Sequence, residues 1–175
     1  NYGNTSSVLL KNSTIANNSG SYGSGVAAYA DTQLTLQNCT LTGNSGTSGG
    51  GIVLTGGSNV LNFTNTIISS ASGGDCQLWT GSVGISTNNL VKDGSCSPAF
   101  SGDPLLAPLG DYGGPTWTAP LLPGSKALDA GDAAACLATD QRGVTRPQGS
   151  ACDLGAFESQ GFTLTKAGGD NQHAY

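Results

Sequence analysis

The sequence predicts an all-β chain: a right-handed parallel β-helix, or solenoid, with a loop-rich, disulfide-stapled C-terminal cap. A recurring phrase carries the prediction. Asn12-Ser13-Thr14-Ile15 returns as Asn38-Cys39-Thr40-Leu41, as Asn65-Thr66-Ile67-Ile68 and, more faintly, as Asn88-Asn89-Leu90-Val91, at steps of 26, 27 and 23 residues. A second phrase keeps step with it, since Gly25-Val26-Ala27-Ala28 returns as Gly51-Ile52-Val53-Leu54. Self-similarity at such a period marks a stacked repeat architecture.

Each repeat alternates apolar and polar residues over a short run and then breaks at Gly, Asn or Ser, as in Thr32-Gln33-Leu34-Thr35-Leu36-Gln37. Period-two alternation bounded by turn residues reads as strand. No window offers a capped helical pattern, so almost no helix is expected. Three short strands per repeat place coils at residues 8–30, 31–56 and 57–81, with a partial coil to residue 96. Stacking then puts Ser13, Cys39, Thr66 and Asn89 in one inward column and Ile15, Leu41, Ile68 and Val91 in the next. A slip of one residue would turn both columns to solvent. On this register an acid at Leu41 unfolds the coils, whereas an acid at outward Thr40 is tolerated. The phrase-opening Asn residues sit at corners, where Asn tolerates left-handed backbone and is expected to bond to the Asn above it in a ladder.

Composition excludes several functions. Charged residues make up 10% of the 175, and the net charge is −5 with six Lys plus Arg. No basic stripe is available to neutralise phosphates, which argues against nucleic acid and against an anionic membrane surface. No segment reaches the length of a membrane-spanning helix, so direct membrane insertion is not expected. The chain opens Asn1-Tyr2-Gly3 without a signal peptide and contains no Met, so it is expected to be a processed or excised piece of a longer protein.

From Ser97 the repeats stop, and all seven prolines follow, from Pro98 to Pro147. Proline cannot donate to a ladder, so this half is read as a compact cap. The boundaries are residues 1–96 for the coils, 97–160 for the cap and 161–175 for a tail strand or linker. Five motifs follow in order: Gly102-Asp103-Pro104-Leu105-Leu106; Leu109-Gly110-Asp111-Tyr112-Gly113-Gly114-Pro115-Thr116; Leu121 to Asp132; Thr139-Asp140-Gln141-Arg142-Gly143-Val144-Thr145-Arg146-Pro147; and Cys152-Asp153-Leu154-Gly155-Ala156-Phe157-Glu158. This series resembles the C-terminal module of bacterial "choice-of-anchor Q" surface proteins, which are similar to β-helix repeat and polymorphic outer-membrane-type proteins. The resemblance implies an exported, surface-attached or secreted protein and implies no catalytic activity.

Five cysteines suit two disulfides and one thiol. Cys76 and Cys96 flank the last coil, and Cys136 and Cys152 flank the Asp-Gln-Arg-Gly segment, so both pairs close loops worth about 3 kcal/mol each in the chain-entropy model. Cys39 falls in the inward column as a buried free thiol. No C-x-x-C spacing supports zinc. The disulfide reading points outside the cytoplasm.

A glycosidase needs two carboxylates about 5–10 Å apart. The three full coils carry only Asp31 and Asp75, at non-equivalent positions. The cap holds Asp129, Asp132, Asp140, Arg142, Asp153 and Glu158. Asp140 and Arg142 read as an ion pair fixing loops, and Asp129 and Asp132 lack the regular spacing of a calcium loop. His173 stands in the polar tail, away from any Ser-His-Asp arrangement. The reading therefore assigns no catalytic residue, metal or cofactor.

Five sequons place glycosylation candidates at Asn4, Asn12, Asn17, Asn38 and Asn62. Tyr2, Tyr22, Tyr29, Trp79 and Trp117 are candidates for stacking on sugars, though packing is the expectation for Trp117. The tail run Phe162-Thr163-Leu164-Thr165 alternates like a strand and is a candidate for head-to-tail addition to another copy. The leading expectation is a non-enzymatic extracellular structural or adhesion module of the cell surface. Its alternatives are a self-assembling filament subunit and a polysaccharide-binding or degenerate carbohydrate-active β-helix. The partners would be the chain itself or surface glycans and proteins.

Overall fold

A computed structural model describes residues 6–161. Strands follow in four groups: β1 (Ser6–Lys11), β2 (Thr14–Ala16), β3 (Ser19–Tyr22), β4 (Val26–Tyr29); β5 (Thr32–Gln37), β6 (Thr40–Thr42), β7 (Ser45–Ser48), β8 (Ile52–Thr55); β9 (Val60–Thr64), β10 (Ile67–Ser69), β11 (Cys76–Leu78); and β12 (Ser82–Thr87), β13 (Leu90–Val91), β14 (Phe100–Ser101). One 3-10 turn, Ala133–Ala135, is the helical element among the described residues. Strands from successive coils stack in parallel as β1-β5-β9-β12, as β14-β13-β10-β6-β2, as β11-β8-β4 and as β3-β7. The chain is thus a parallel β-solenoid of three coils and a partial fourth. Coils one and two carry four strands each, where three were expected. The extra short strand, β3 or β7, is Ser/Gly-rich and lacks the apolar alternation that marks a strand in sequence.

The register follows the repeated phrase. Ile15 lies beside Leu41, Leu41 beside Ile68 and Ile68 beside Val91. Leu41, Ile68 and Val91 are fully buried in one core cluster with Leu34, Leu36, Ile52, Leu54, Leu61 and Phe63. The corner that opens each repeated phrase is made by an Asn in left-handed backbone, with φ of 42° at Asn12, 49° at Asn38, 50° at Asn65 and 45° at Asn88. Asn is among the few residues that adopt this conformation at little cost. A second set of Asn residues points inward: Asn89 accepts from Thr66 N and donates to Phe63 O, and Asn59 accepts from Thr32 N. These satisfy strand-end groups that the ladders leave open.

The disulfide Cys76–Cys96, with Cα atoms 5.9 Å apart, ties coil three to the segment crossing the end of the stack. Ser97 O in that segment accepts from Ser86 Oγ of β12. The loop-rich module beyond does more than close this end. Its chain runs back along the flank of the β14-β13-β10-β6-β2 sheet as a strap, and the disulfide Cys136–Cys152 closes a loop within it.

Candidate functional site

The strap is built coil by coil on the corner residues. Asn88 Nδ2 donates to Ala130 O (2.9 Å), and Asn65 receives Asp132 N (2.7 Å) and donates to Asp132 O. Gln37 Nε2 donates to Ala135 O (2.8 Å) and Asn12 Nδ2 to Thr139 O (2.7 Å). Residues 130–139 therefore climb from the last coil to the first. The expected Asn ladder is not formed, because the strap's peptide groups take the corner amides instead. Asn38 is the exception: its amide is buried without a partner.

A second apolar layer lies beneath the strap. Ile67 and Leu90 point outward from β10 and β13 and pack with Leu121, Ala127 and Leu154. The third residue of the repeated phrase carries the signal: it is Thr in coils one and two and turns to Ile67 and Leu90 in coils three and four. An apolar side chain at an outward position implies cover. Thr40, expected to face solvent, is 2% exposed, and its Oγ1 accepts from Ala156 N at 2.9 Å. That overturns the expectation that an acid is tolerated there. The contact needs Gly155 beside it: φ is +87°, and a Cβ there would sit 2.5 Å from Thr40 Oγ1.

Ion pairs brace the strap from within. Arg146 Nη1 meets Glu158 Oε2 at 2.9 Å, both side chains at most 1% exposed. Arg146 also donates to Asp153 O and Gly155 O. Glu158 in turn accepts from Gln148 N and Asp153 N. Arg142 pairs with Asp140 at 2.8 Å, as the sequence suggested, donates to Glu158 O, and lies 3.5 Å over the Phe157 ring. Asp153 accepts from Asp129 N and Ser159 N. Burial pushes the Glu158 and Asp153 carboxyls up, with backbone N–H donors opposing it. Burial lowers Arg146 while the charges of Glu158, Asp140 and Asp153 oppose it. Arg146 and its pairing with Glu158 were missed in sequence, since nothing periodic links two residues in irregular chain.

Asp129 and Asp132 do not converge. Asp132 caps the 3-10 turn by accepting from Ala134 N, and Asp129 accepts from Ala151 N. Among the described residues no group of three or more His, Cys, Asp or Glu side chains is placed to hold a metal. Asp75 has a partner that sequence reading passed over: Asp93, on the next coil. Each carboxylate accepts the other's backbone N–H, at 2.8 and 2.7 Å. Asp75, 3% exposed, is pushed up by burial, while the hydrogen bonds to Asp93 outweigh its desolvation and hold it low. This arrangement closes the turn beside Cys76–Cys96. Asp75 is enclosed by this arrangement, whereas Asp93 stays exposed at the turn.

Of the remaining candidates, Cys39 is a free, fully buried thiol raised by burial. Asn38 is fully buried and Asn12 is tied to the strap, so the folded chain presents neither to a glycosyltransferase. Asn17 is exposed, and Asn62 is half-buried with its Oδ1 taken by Ile85 N. Asn4, Tyr2, His173 and the proposed assembly strand Phe162, Thr163, Leu164 and Thr165 lie outside the described residues. Trp117 does not pack as expected and is 63% exposed. A cleft of about 350 Å³ opens in the strap's outer surface between Tyr112, Leu121, Leu122, Arg142 and Phe157.

No curated protein and no solved structure matches the chain. Residues 1–94, over half the chain, match the family model described as "Right handed beta helix region". With its parallel ladders and in-register core columns, the chain belongs to the right-handed β-helix family.

Proposed function

We propose that the chain is a non-catalytic structural module of an exported, cell-surface protein, of the kind the five ordered motifs resemble. The observation that carries this reading is the strap. One continuous segment is hydrogen-bonded to all four coils, through the corner residues Asn12, Asn65 and Asn88 and through Gln37 in coil two, and is braced by buried ion pairs. Such a tie stiffens a solenoid whose coils otherwise contact only their neighbours. Arg142, Arg146, Asp140, Asp153 and Glu158 are engaged in that bracing, which leaves them no evident role at a substrate. The two disulfides support an oxidising compartment. The β-helix fold is compatible with a stalk or adhesion segment, and the low charge suits an exposed spacer.

Two measurements test the proposal. Purified chain is incubated with a panel of neutral and acidic polysaccharides, and release of reducing ends is followed; none is expected. Turnover that disappears in Asp75→Asn would overturn the non-catalytic reading. Intact cells producing the parent protein are treated with a membrane-impermeant amine label. Labelling of the chain is expected, and recovery of the chain unlabelled from the reduced cytoplasmic fraction contradicts the localisation.

A further inference from the structure

We propose that the cleft in the strap's outer surface docks a second copy of this chain, each copy lodging its Trp117 in the other's cleft about a two-fold axis. The inference goes beyond the reading of the chain as a structural module and does not depend on it.

Cleft and ring belong to one irregular hairpin. Residues 105–110 run antiparallel to residues 118–122, held by Leu122 N on Leu105 O, Ala107 N on Pro120 O and the paired Gly110 and Thr118. The loop between them, residues 111–117, folds back onto the strap. Tyr112 meets the Phe157 ring edge-on, with centroids 6.4 Å apart, and Gln141 Nε2 donates to Trp117 O at 3.1 Å. The Trp117 backbone is thus tied down while its side chain stays uncovered. At 63% it is the most exposed large apolar residue among the described residues. The cleft is walled by Ala107, Pro120, Leu121 and Leu122 of the hairpin, with Tyr112 and Phe157 opposite.

Size, shape and charge point to a second copy as the occupant. An apolar cavity of about 150 Å³ takes a benzene ring, so a cleft of about 350 Å³ has room for an indole. Exposed aromatics, Tyr112 and Trp117, stand at the loop end of the hairpin, and exposed leucines, Leu105 and Leu122, at its open end. Two hairpins laid antiparallel bring each aromatic end onto the other's leucines. One patch is then complementary to itself, as an isologous interface requires. Trp117 is five residues from Leu122, about 16 Å of extended chain, so an axis midway places each ring at the other copy's cleft. Between residues 104 and 125 the one charged side chain is Asp111. Arg142 on the cleft wall is neutralised by Asp140, so the walls favour an uncharged ring. The same axis brings exposed Asp111, at the loop end, towards exposed Lys126, just past the open end. Asp103, also at that end, has an oxygen engaged by Leu105 N. Two rings of about 150–250 Å² each, with the walls they cover, stay under about 1,200 Å², the class of weak, reversible association.

Sedimentation velocity of the full chain at about 1–500 µM should show a reversible monomer–dimer equilibrium in the micromolar range and nothing larger. Trp79→Phe leaves Trp117 as the one tryptophan. This variant should dimerise as wild type does, its emission shifting to the blue and resisting acrylamide as concentration rises. Trp117→Ala removes the ring, and Leu122→Glu places a charge in the cleft. Each should weaken association by about tenfold or more, the loss expected of an interface anchor. Both residues are exposed, so the fold should be kept; thermal unfolding checks it, and either variant alone keeps the test decisive. A monomer at every concentration, unchanged association in a folded variant, or species beyond the dimer overturns the proposal. Deleting residues 162–175 should leave the dimer as it is. A dimer gained on deletion would assign the cleft to the chain's own end, and a dimer lost would assign the contact to the tail; both overturn it.

Discussion

Replacing Arg146 by Met tests whether the strap's buried ions act as a unit. Arg146 is enclosed, with its Nη1 on Glu158 Oε2 and Asp153 O and its Nη2 on Gly155 O. Met keeps much of the volume and removes the charge. It leaves the Glu158 carboxylate unpaired in a site where its side chain is 1% exposed. Breaking one partner of a buried pair costs about 3–5 kcal/mol. For a chain of this size, at about 2–4 °C per kcal/mol, that is a fall in unfolding temperature of about 6–20 °C. The loss must depend on pH. Glu158 is already raised by burial, and losing Arg146 raises it further. A carboxyl whose folded pKa exceeds its unfolded value, about 4.3, binds more protons folded than unfolded. Its contribution is therefore fully present below about pH 4.3 and is lost as pH rises through the folded value. Calorimetry of wild type and Arg146→Met at several pH values between 4 and 8 should show the gap widening as pH rises. Adding Glu158→Gln to Arg146→Met removes the stranded charge and should recover part of the loss at neutral pH. A deficit under about 1 kcal/mol, a gap independent of pH, or strictly additive single substitutions would refute the coupling.

In the wild type, burial raises Asp75, Asp153 and Glu158, whereas Asp93 is held low. Denaturant midpoints should therefore fall from mildly acid toward neutral pH, and a steady rise to pH 7 would contradict that majority. Leu41→Asp should cost more than about 4 kcal/mol by placing an unpaired charge in a closed column. Thr40→Asp should cost about 2–3 kcal/mol, because it desolvates a carboxylate beneath the strap. Thr35→Asp, outward and half-exposed on β5, should stay within about 0.5 kcal/mol in the same chemical melts. Cys39 should resist alkylation until the chain unfolds, since its thiol is buried and raised; modification of native protein at neutral pH would show that the coils open locally. Cys136→Ala/Cys152→Ala should lower stability by about 3 kcal/mol and make the strap the first site of proteolysis, with the coils cut later.

Much of the solenoid can be read from the chain alone. The repeated Asn makes one corner of every coil in left-handed backbone, and the phrase that follows it stacks in register, because every coil meets a similar neighbour one period away. Contacts of that kind repeat in sequence as they repeat in space. The two cysteine pairs are also short-range, separated by 20 and 16 residues. Tyr22, Tyr29 and Trp79 could be named as exposed aromatics, whereas Trp117, expected to pack, is exposed as well.

Tertiary structure decided where the irregular third of the chain goes. Thr40 and Ala156 are 116 residues apart, and Asn12 and Thr139 are 127 apart. No periodicity foretells such pairs. The strap's course settles which outward residues are covered, turns the corner amides from neighbour-to-neighbour ladders into rungs for another segment, and brings Arg146 onto Glu158. A proline- and glycine-punctuated chain has no ladder to set its path. Its course is set by the apolar surface it can bury, here Ile67 and Leu90, and by the backbone groups it can satisfy on the way.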